Sequence, residues 1–204
     1  MKIELLALGQ YASNCYIVAD EVSKEAIIID PGAGGNQIMK HVEASGLKIM
    51  FIVLTHSHPD HIGALKEVKE ATGAKVAIHA DDVSGLQRGR QFGTMSSSTQ
   101  PPPDRLLKDG DSLDVGSLHL SVIHTPGHTQ GGICLLVDGV LFSGDTLFYS
   151  SVGRSDMPGG NGPQLIDAIS NKLLTLPDET VVLPGHGPQT TIGDERRGNP
   201  FLRG

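Results

Sequence analysis

Short apolar runs dominate the first fifty residues, with polar punctuation between them. The runs at 3–8, 15–19 and 26–29 read as strands, the last ended by Asp30-Pro31-Gly32. In 37–44 the apolar residues Ile38, Met39 and Val42 fall at helical spacing, and Gly46 closes the segment as a helix stop. The uninterrupted run 49–54 predicts a strand buried on both faces. Across 62–71, Ile62, Leu65 and Val68 share one side while Lys66, Glu67, Lys69 and Glu70 face water, which predicts an amphipathic helix. A short strand follows at 76–78.

The second half has the same style. Residues 88–104, rich in Ser and Pro, predict a surface loop. Strands are expected at 118–123, 133–137 and 140–142, with Asp138-Gly139 a hairpin turn between the last two. Pro163 opens a helix at 164–174, and 180–183 is a final strand before Pro184-Gly185-His186. Strands in runs joined by occasional helices predict two packed sheets with helices outside, an α/β architecture. No linker divides the chain, so one domain over 1–204 is expected.

Composition narrows the partners. Hydrophobic residues at 38% suffice for a core, but with no Trp and 4% aromatics that core must rest on Leu, Ile, Val and Ala. A formal net charge of −7 argues against nucleic acid and against an anionic membrane surface, because both select a basic face. The N-terminus MKIELLALGQ carries Glu4 inside its apolar run and does not read as a secretory signal. No stretch approaches the ~18 apolar residues of a membrane span. Cys15 and Cys134 sit in apolar runs and read as two buried thiols of a reducing compartment, so a cytoplasmic protein is expected.

The stretch THSHPDHIGA adds the chemistry, placing His56, His58, Asp60 and His61 within six positions. Of nine histidines, five stand beside Gly, Pro or Asp just after an expected strand: these three, His128 in TPGHTQGG and His186 in PGHGP. Asp145 in SGDT follows 140–142 in the same way. Several strands thus each deliver a potential ligand at their end, and strand ends on one rim converge. Neutral imidazole and carboxylate are the donor set of zinc, non-haem iron and manganese. In H-x-H-x-D-H, His56 and His58 point the same way and can grip one ion, while Asp60 and His61 face a second. His41 reads as solvated, and His79, His119 and His124 as packing or surface residues. Asp30 either makes the DPG turn or orients a ligand imidazole. Ser57 and Thr129 read as hydrogen-bonding turn residues rather than nucleophiles.

Taken in order, THSHPDH, TPGHT, SGDT and PGHG resemble the metallo-β-lactamase fold over nearly the whole chain, from about Ile3 to Thr191. The segment GDTLFYSSVGRSDMPGG is similar to the glyoxalase II (hydroxyacylglutathione hydrolase) branch, particularly its short bacterial forms. The resemblance implies an αββα four-layer sandwich with two divalent metal ions, zinc foremost and iron or manganese as alternatives, at one edge of the sheets. By motif it assigns His56, His58 and His128 to one metal, Asp60, His61 and His186 to the other, and Asp145 to the bridge. It implies hydrolysis of a small-molecule thioester such as S-lactoylglutathione by metal-activated water, with Arg154 as the basic residue that contacts glutathione. An Asp at 145 departs from true β-lactamases, which usually carry Cys or Ser there, and an intact His58 departs from the diiron electron-transfer branch. Residues 187–204 do not suffice for the helical domain that completes the glutathione site in full-length glyoxalase II, and Asp156 stands where an aromatic partner is expected. Two other readings compete: a mononuclear iron persulfide dioxygenase acting on glutathione persulfide, which shares the fold and a GR-[ST]-D segment, and a non-enzymatic metal-binding module.

Overall fold

The computed structural model describes residues 1–87 and 100–203. Strands β1 (Lys2–Leu8), β2 (Ser13–Ala19) and β3 (Glu25–Ile29) form an antiparallel meander, and β4 (Lys48–Val53), β5 (Lys75–His79) and β6 (Arg105–Leu107) extend it in parallel. The parallel steps are crossed by α1 (Gly35–Ser45) and by α2 (Pro59–Ile62) with α3 (Leu65–Thr72); α4 (Val83–Gln87) follows β5. The second sheet contains β7 (Ser112–Val115), β8 (Leu118–His124), β9 (Ile133–Val137) and β10 (Val140–Gly144). After the small hairpin β11 (Leu147–Phe148) and β12 (Ser151–Val152) come α5 (Gly162–Ala168), β13 (Val181–Pro184), β14 (Thr190–Thr191) and α6 (Ile192–Gly198). The order in this sheet is β14-β13-β10-β9-β8-β7.

Period-two alternation explains the layering. In β2 every residue is buried. Cys15, Ile17 and Ala19 face Ile38 and Val42 of α1 and Leu65 and Val68 of α3. Tyr16 and Val18 face the other way, into a core shared with Val122, Leu135 and Phe142 of the second sheet. There Cys134, Leu141 and Val182 turn outward onto Leu165 and Ile192 of α5 and α6. Three apolar interfaces therefore make four layers, helix–sheet–sheet–helix, the αββα arrangement expected. Full burial of a Leu or Ile is worth roughly 1.5–3 kcal/mol, so packing of these faces, more than helix propensity, holds the short helices. Tyr16 and Phe142 meet edge to face at 5.1 Å across the two sheets.

The expected helix 62–71 is two pieces, because the Ala64 N–H bonds the Pro31 carbonyl at 2.9 Å instead of continuing the helical ladder. The expected helix 164–174 begins earlier, at Gly162, and its second half is a π-helical stretch, Ile169–Leu173. Asp138 and Gly139 both take positive φ, 46° and 77°, as a two-residue hairpin requires. Strands β6, β7, β11, β12 and β14 and helices α4 and α6 are additional to those read from the pattern. Each is too short or too polar to carry a period of its own. Of the expected loop 88–104, residues 88–99 lie outside the described residues, and 100–104 are irregular. Cys15 and Cys134 are buried and unpaired. No helix among the described residues is long and apolar enough to cross a membrane.

Candidate metal centre

Four strands deliver the seven residues singled out above to one edge of the two sheets. β4 leads through Thr55 into His56 and His58, with Asp60 and His61 in α2; β8 leads to His128; β10 to Asp145; β13 to His186. Backbone bonds hold these ends together: the Ile133 N–H reaches the Thr55 carbonyl at 2.9 Å, joining the sheets, and the Gly185 N–H reaches the Gly144 carbonyl at 2.8 Å. At Gly185 a Cβ would lie 2.3 Å from Asp145 Oδ1 and 2.7 Å from His61 Cε1, so only glycine lets the chain pass this close.

The structure brings the seven together as two groups around one carboxylate. His56, His58 and His128 offer ring nitrogens within 4.8 Å of one another, and so do the donor atoms of Asp60, His61 and His186. Within the groups, His58 Nδ1 lies 2.9 Å from His128 Nε2, and His61 Nε2 lies 3.2 Å from His186 Nε2. Asp145 stands between them. Its Oδ2 is 3.5 Å from His128 Nε2, 4.0 Å from His56 Nε2 and 3.7 Å from His186 Nε2, and its Oδ1 is 3.4 Å from His61 Nε2. Both His56 Nε2 and Asp145 Oδ1 are buried without a hydrogen-bond partner. Orphaned polar atoms of this kind cost free energy unless a ligand satisfies them. Converging nitrogens and carboxylates fit divalent ions of the zinc, iron or manganese type.

Protein oxygens hold the far ring nitrogens. His61 Nδ1 donates to Asp30 Oδ2 at 2.9 Å, and Asp30 also accepts from the Thr55 N–H at 2.7 Å. His128 Nδ1 meets the Arg154 carbonyl at 2.7 Å, His186 Nδ1 the Tyr11 carbonyl at 3.2 Å, and His56 Nδ1 the Thr55 hydroxyl at 3.1 Å. Each contact fixes a ring and leaves its other nitrogen facing inward. Asp30, for which the sequence left two roles open, takes both: it has φ 51° in its turn and it orients His61. The carbonyls of Arg154 and Tyr11 could not have been found from sequence, since any residue type supplies one.

Charge separates the two groups. Burial, and after it His61 and His128, hold His56 well below the usual histidine range. Burial and His128 likewise push His58 down to about 4. Burial also opposes charge on His61, but Asp145, Asp30 and Asp60 outweigh it and raise that ring to about 9. His186 is raised by its hydrogen bond to Asp60. Burial lifts Asp60, yet the bond from His186 and the charge of His61 leave it well below the usual carboxylate range.

A cavity of about 430 Å³ opens beside the cluster, with His58 and Asp60 in its lining and Leu8, Tyr11, Ile62 and Met157 as apolar walls. Among the described residues lining it there is no Lys or Arg. Arg154 does not line it: the exposed guanidinium pairs through two 3.0 Å bonds with Asp156. The other histidines stand apart. His119 pairs with Asp114 on the surface and His41 with Glu4. His79 and His124 stack with centroids 4.0 Å apart and planes at 11°, so their in-plane lone pairs do not converge although Asp81 is near. Ser57 hydrogen-bonds as expected, to Asp82, but the Thr129 hydroxyl is buried with no partner.

The family profile described as "Metallo-beta-lactamase superfamily" matches residues 8–186. The probable metallo-hydrolase YqgX of Bacillus subtilis is 37% identical over 100% of this chain and 99% of its own. The hydroxyacylglutathione hydrolase GloC of Haemophilus influenzae is 34% identical over 99% and 98%. Among solved structures, the BLEG-1 B3 metallo-beta-lactamase superposes with TM-score 0.92 at 38% identity, covering all of both chains. TTHA1623 in a di-iron-bound form gives 0.89 at 36% identity, over 98% of this chain and 100% of its own. ETHE1 from Myxococcus xanthus gives 0.81 at 32% identity, over 98% and 84%.

Proposed function

Because this chain belongs to the metallo-beta-lactamase superfamily, we propose that it is a hydrolase with a dinuclear metal site that cleaves a thioester, S-lactoylglutathione being the representative substrate. The observation that carries this reading is Asp145, whose carboxylate lies 3.5 Å from a ring nitrogen of one group, His128, and 3.4 Å from one of the other, His61. The likeness to GloC supports the thioester.

His56, His58 and His128 would hold one divalent ion and Asp60, His61 and His186 a second, with Asp145 shared; bound there, the ions supply an activated water and an electrophile for the carbonyl. The chain's own part is positioning. Asp30 keeps the Nε2 edge of His61 inward, and the Arg154 carbonyl does the same for His128. Leu8, Ile62 and Met157 cover the hydrocarbon part of a substrate in the cavity. Among the described residues no side chain is set up as a covalent nucleophile: Ser57 donates to Asp82, and Cys15 and Cys134 are packed in the outer apolar layers, where burial raises both thiols. Arg154 remains the residue proposed for a glutathione carboxylate, and it must leave Asp156 to serve. The partner is a small molecule rather than nucleic acid or membrane, in keeping with the net charge of −7, and the two unpaired thiols support a cytoplasmic location.

The likeness to ETHE1 favours a second reading, the mononuclear iron persulfide dioxygenase. Metal analysis of the natively purified protein, with three assays on the same sample, separates the two: S-lactoylglutathione hydrolysis, β-lactam hydrolysis, and oxygen uptake with glutathione persulfide. Two ions per chain and thioester turnover are expected. One iron per chain with oxygen uptake and no thioester turnover overturns the proposal, as does turnover of the β-lactam alone. Arg154→Ala is expected to raise KM for the glutathione thioester and leave kcat nearly unchanged; an unchanged KM removes Arg154 from the site.

A further inference from the structure

Asp82 ends the single 3-10 turn Ala80–Asp82 that follows β5, and it is buried. Its Oδ2 accepts the Ser57 N–H at 2.8 Å and the Ser57 hydroxyl at 3.1 Å, and its Oδ1 accepts the Gly131 N–H at 2.8 Å. Ser57 lies between His56 and His58, and Gly131 lies in the loop just beyond His128. One carboxylate therefore pins two loops, one from each sheet, that together carry all three imidazoles of the first group. One backbone hydrogen bond, from the Ile133 N–H to the Thr55 carbonyl at 2.9 Å, ties the two segments at their strand ends, and Asp82 closes the gap beyond it, between Ser57 and Gly131.

The neighbouring residues are shaped to this contact. A Cβ on Gly131 would stand 2.6 Å from the Asp82 nitrogen and 2.8 Å from its Oδ1, and a Cβ on Gly85 would stand 1.9 Å from the Ser57 hydroxyl. The stacked His79–His124 pair fixes the same segment to the end of β8, and His79 Nδ1 caps the turn by accepting from the Asp81 N–H at 3.3 Å. Three donors meet an acceptor that carries no donor of its own, so only a carboxylate satisfies all of them.

We infer that Asp82 is a positioning residue: it sets the distance between the His56/His58 pair and His128, and so prepares that group for its ion. The inference rests on the dinuclear reading above. It gives the first group what Asp30 gives the second, a buried acid behind the ligands, acting through the loop backbone rather than through a ring.

Two variants test it, Asp82→Asn and Gly131→Ala. The amide of Asn presents a second donor to one of the two loops. The Gly131→Ala methyl pushes the loops apart while keeping every polar group, and it gives the readout should Asp82→Asn not fold. Zinc uptake by the full chain is measured by competition with a chelator, beside the melting temperature of the metal-free protein. One of the two ions is expected to bind about 10- to 100-fold more weakly and the other as in wild type, whatever fall in metal-free melting the altered buried contacts bring. In a His186→Ala background, where the first group holds the remaining ion, Asp82→Asn should release it. Two ions bound with wild-type affinity in folded variants overturn the inference, and so does an equal loss at both ions together with a lower metal-free melting temperature. A wild type that takes up only one ion overturns the dinuclear reading instead, and the response of that ion to Asp82→Asn still decides the role of Asp82.

Discussion

His61 Nδ1 and Asp30 Oδ2 meet at 2.9 Å with both side chains buried, and the same Asp30 oxygen accepts from the Thr55 hydroxyl at 2.5 Å. The acid that closes the turn after β3 therefore decides which edge of His61 faces the centre. Asp30→Asn removes the charge and offers an amide that cannot serve all three donors. The expected outcome is about 10- to 100-fold weaker binding of the ion held by Asp60, His61 and His186, read by chelator competition. Unchanged affinity in a folded variant would show that His61 needs no such partner.

Asp145 tests the shared carboxylate. It supplies negative charge between two cations that would repel at short range. Asp145→Asn is expected to lose more than half of the bound metal and nearly all turnover. His41→Ala and His119→Ala, both outside the cluster, should keep wild-type metal content. Elemental analysis of the three proteins decides it, and full occupancy in Asp145→Asn would sink the bridge.

The two groups should respond differently to pH. Metal ions take neutral imidazole. His56, held well below the usual histidine range, and His58, at about 4, are already neutral at pH 7, whereas His61 at about 9 is protonated. Affinity at the second group should therefore rise by up to about tenfold per pH unit from pH 7 and level off near 9, with a proton released on binding, while the first group gains little. Calorimetric titration in two buffers of different ionisation enthalpy measures the release. Equal release at both ions would contradict the assignment.

Asp20 makes a stability prediction away from the site. The Ser117 N–H, at 2.8 Å, and after it the Val22 N–H lower its carboxyl to about 2, tying the β2–β3 turn to the β7–β8 turn of the other sheet. A depressed folded-state pKa stabilises above the unfolded value of 3.8, and the contribution fades as pH falls through about 2. Asp20→Asn should melt below wild type at pH 7, with the gap closing between pH 4 and 2. A gap independent of pH would mean that the ionised form contributes nothing.

The strands with a run or alternation of their own, β1 to β5, β8 to β10 and β13, were legible in the sequence, because the burial of each face is written into its apolar positions. So was the convergence of His56, His58, Asp60, His61, His128, Asp145 and His186, since each stands beside a turn residue at a strand end, and strand ends share a rim. The break between α2 and α3 was not legible: it depends on a hydrogen bond from Ala64 to Pro31, across segments that the helical pattern cannot relate. Arg154 shows the limit most plainly. Its position in the motif marked a side chain for substrate, while the fold gives that side chain to Asp156 and uses the Arg154 carbonyl to hold His128. Which acids stand behind the ligands was likewise decided by tertiary structure. Asp82 and Asp20 look alike as buried acids at turns, and only packing brings one against both ligand loops and the other against a distant turn. Sequence fixes which atoms are available as donors, and three-dimensional proximity fixes which of them meet.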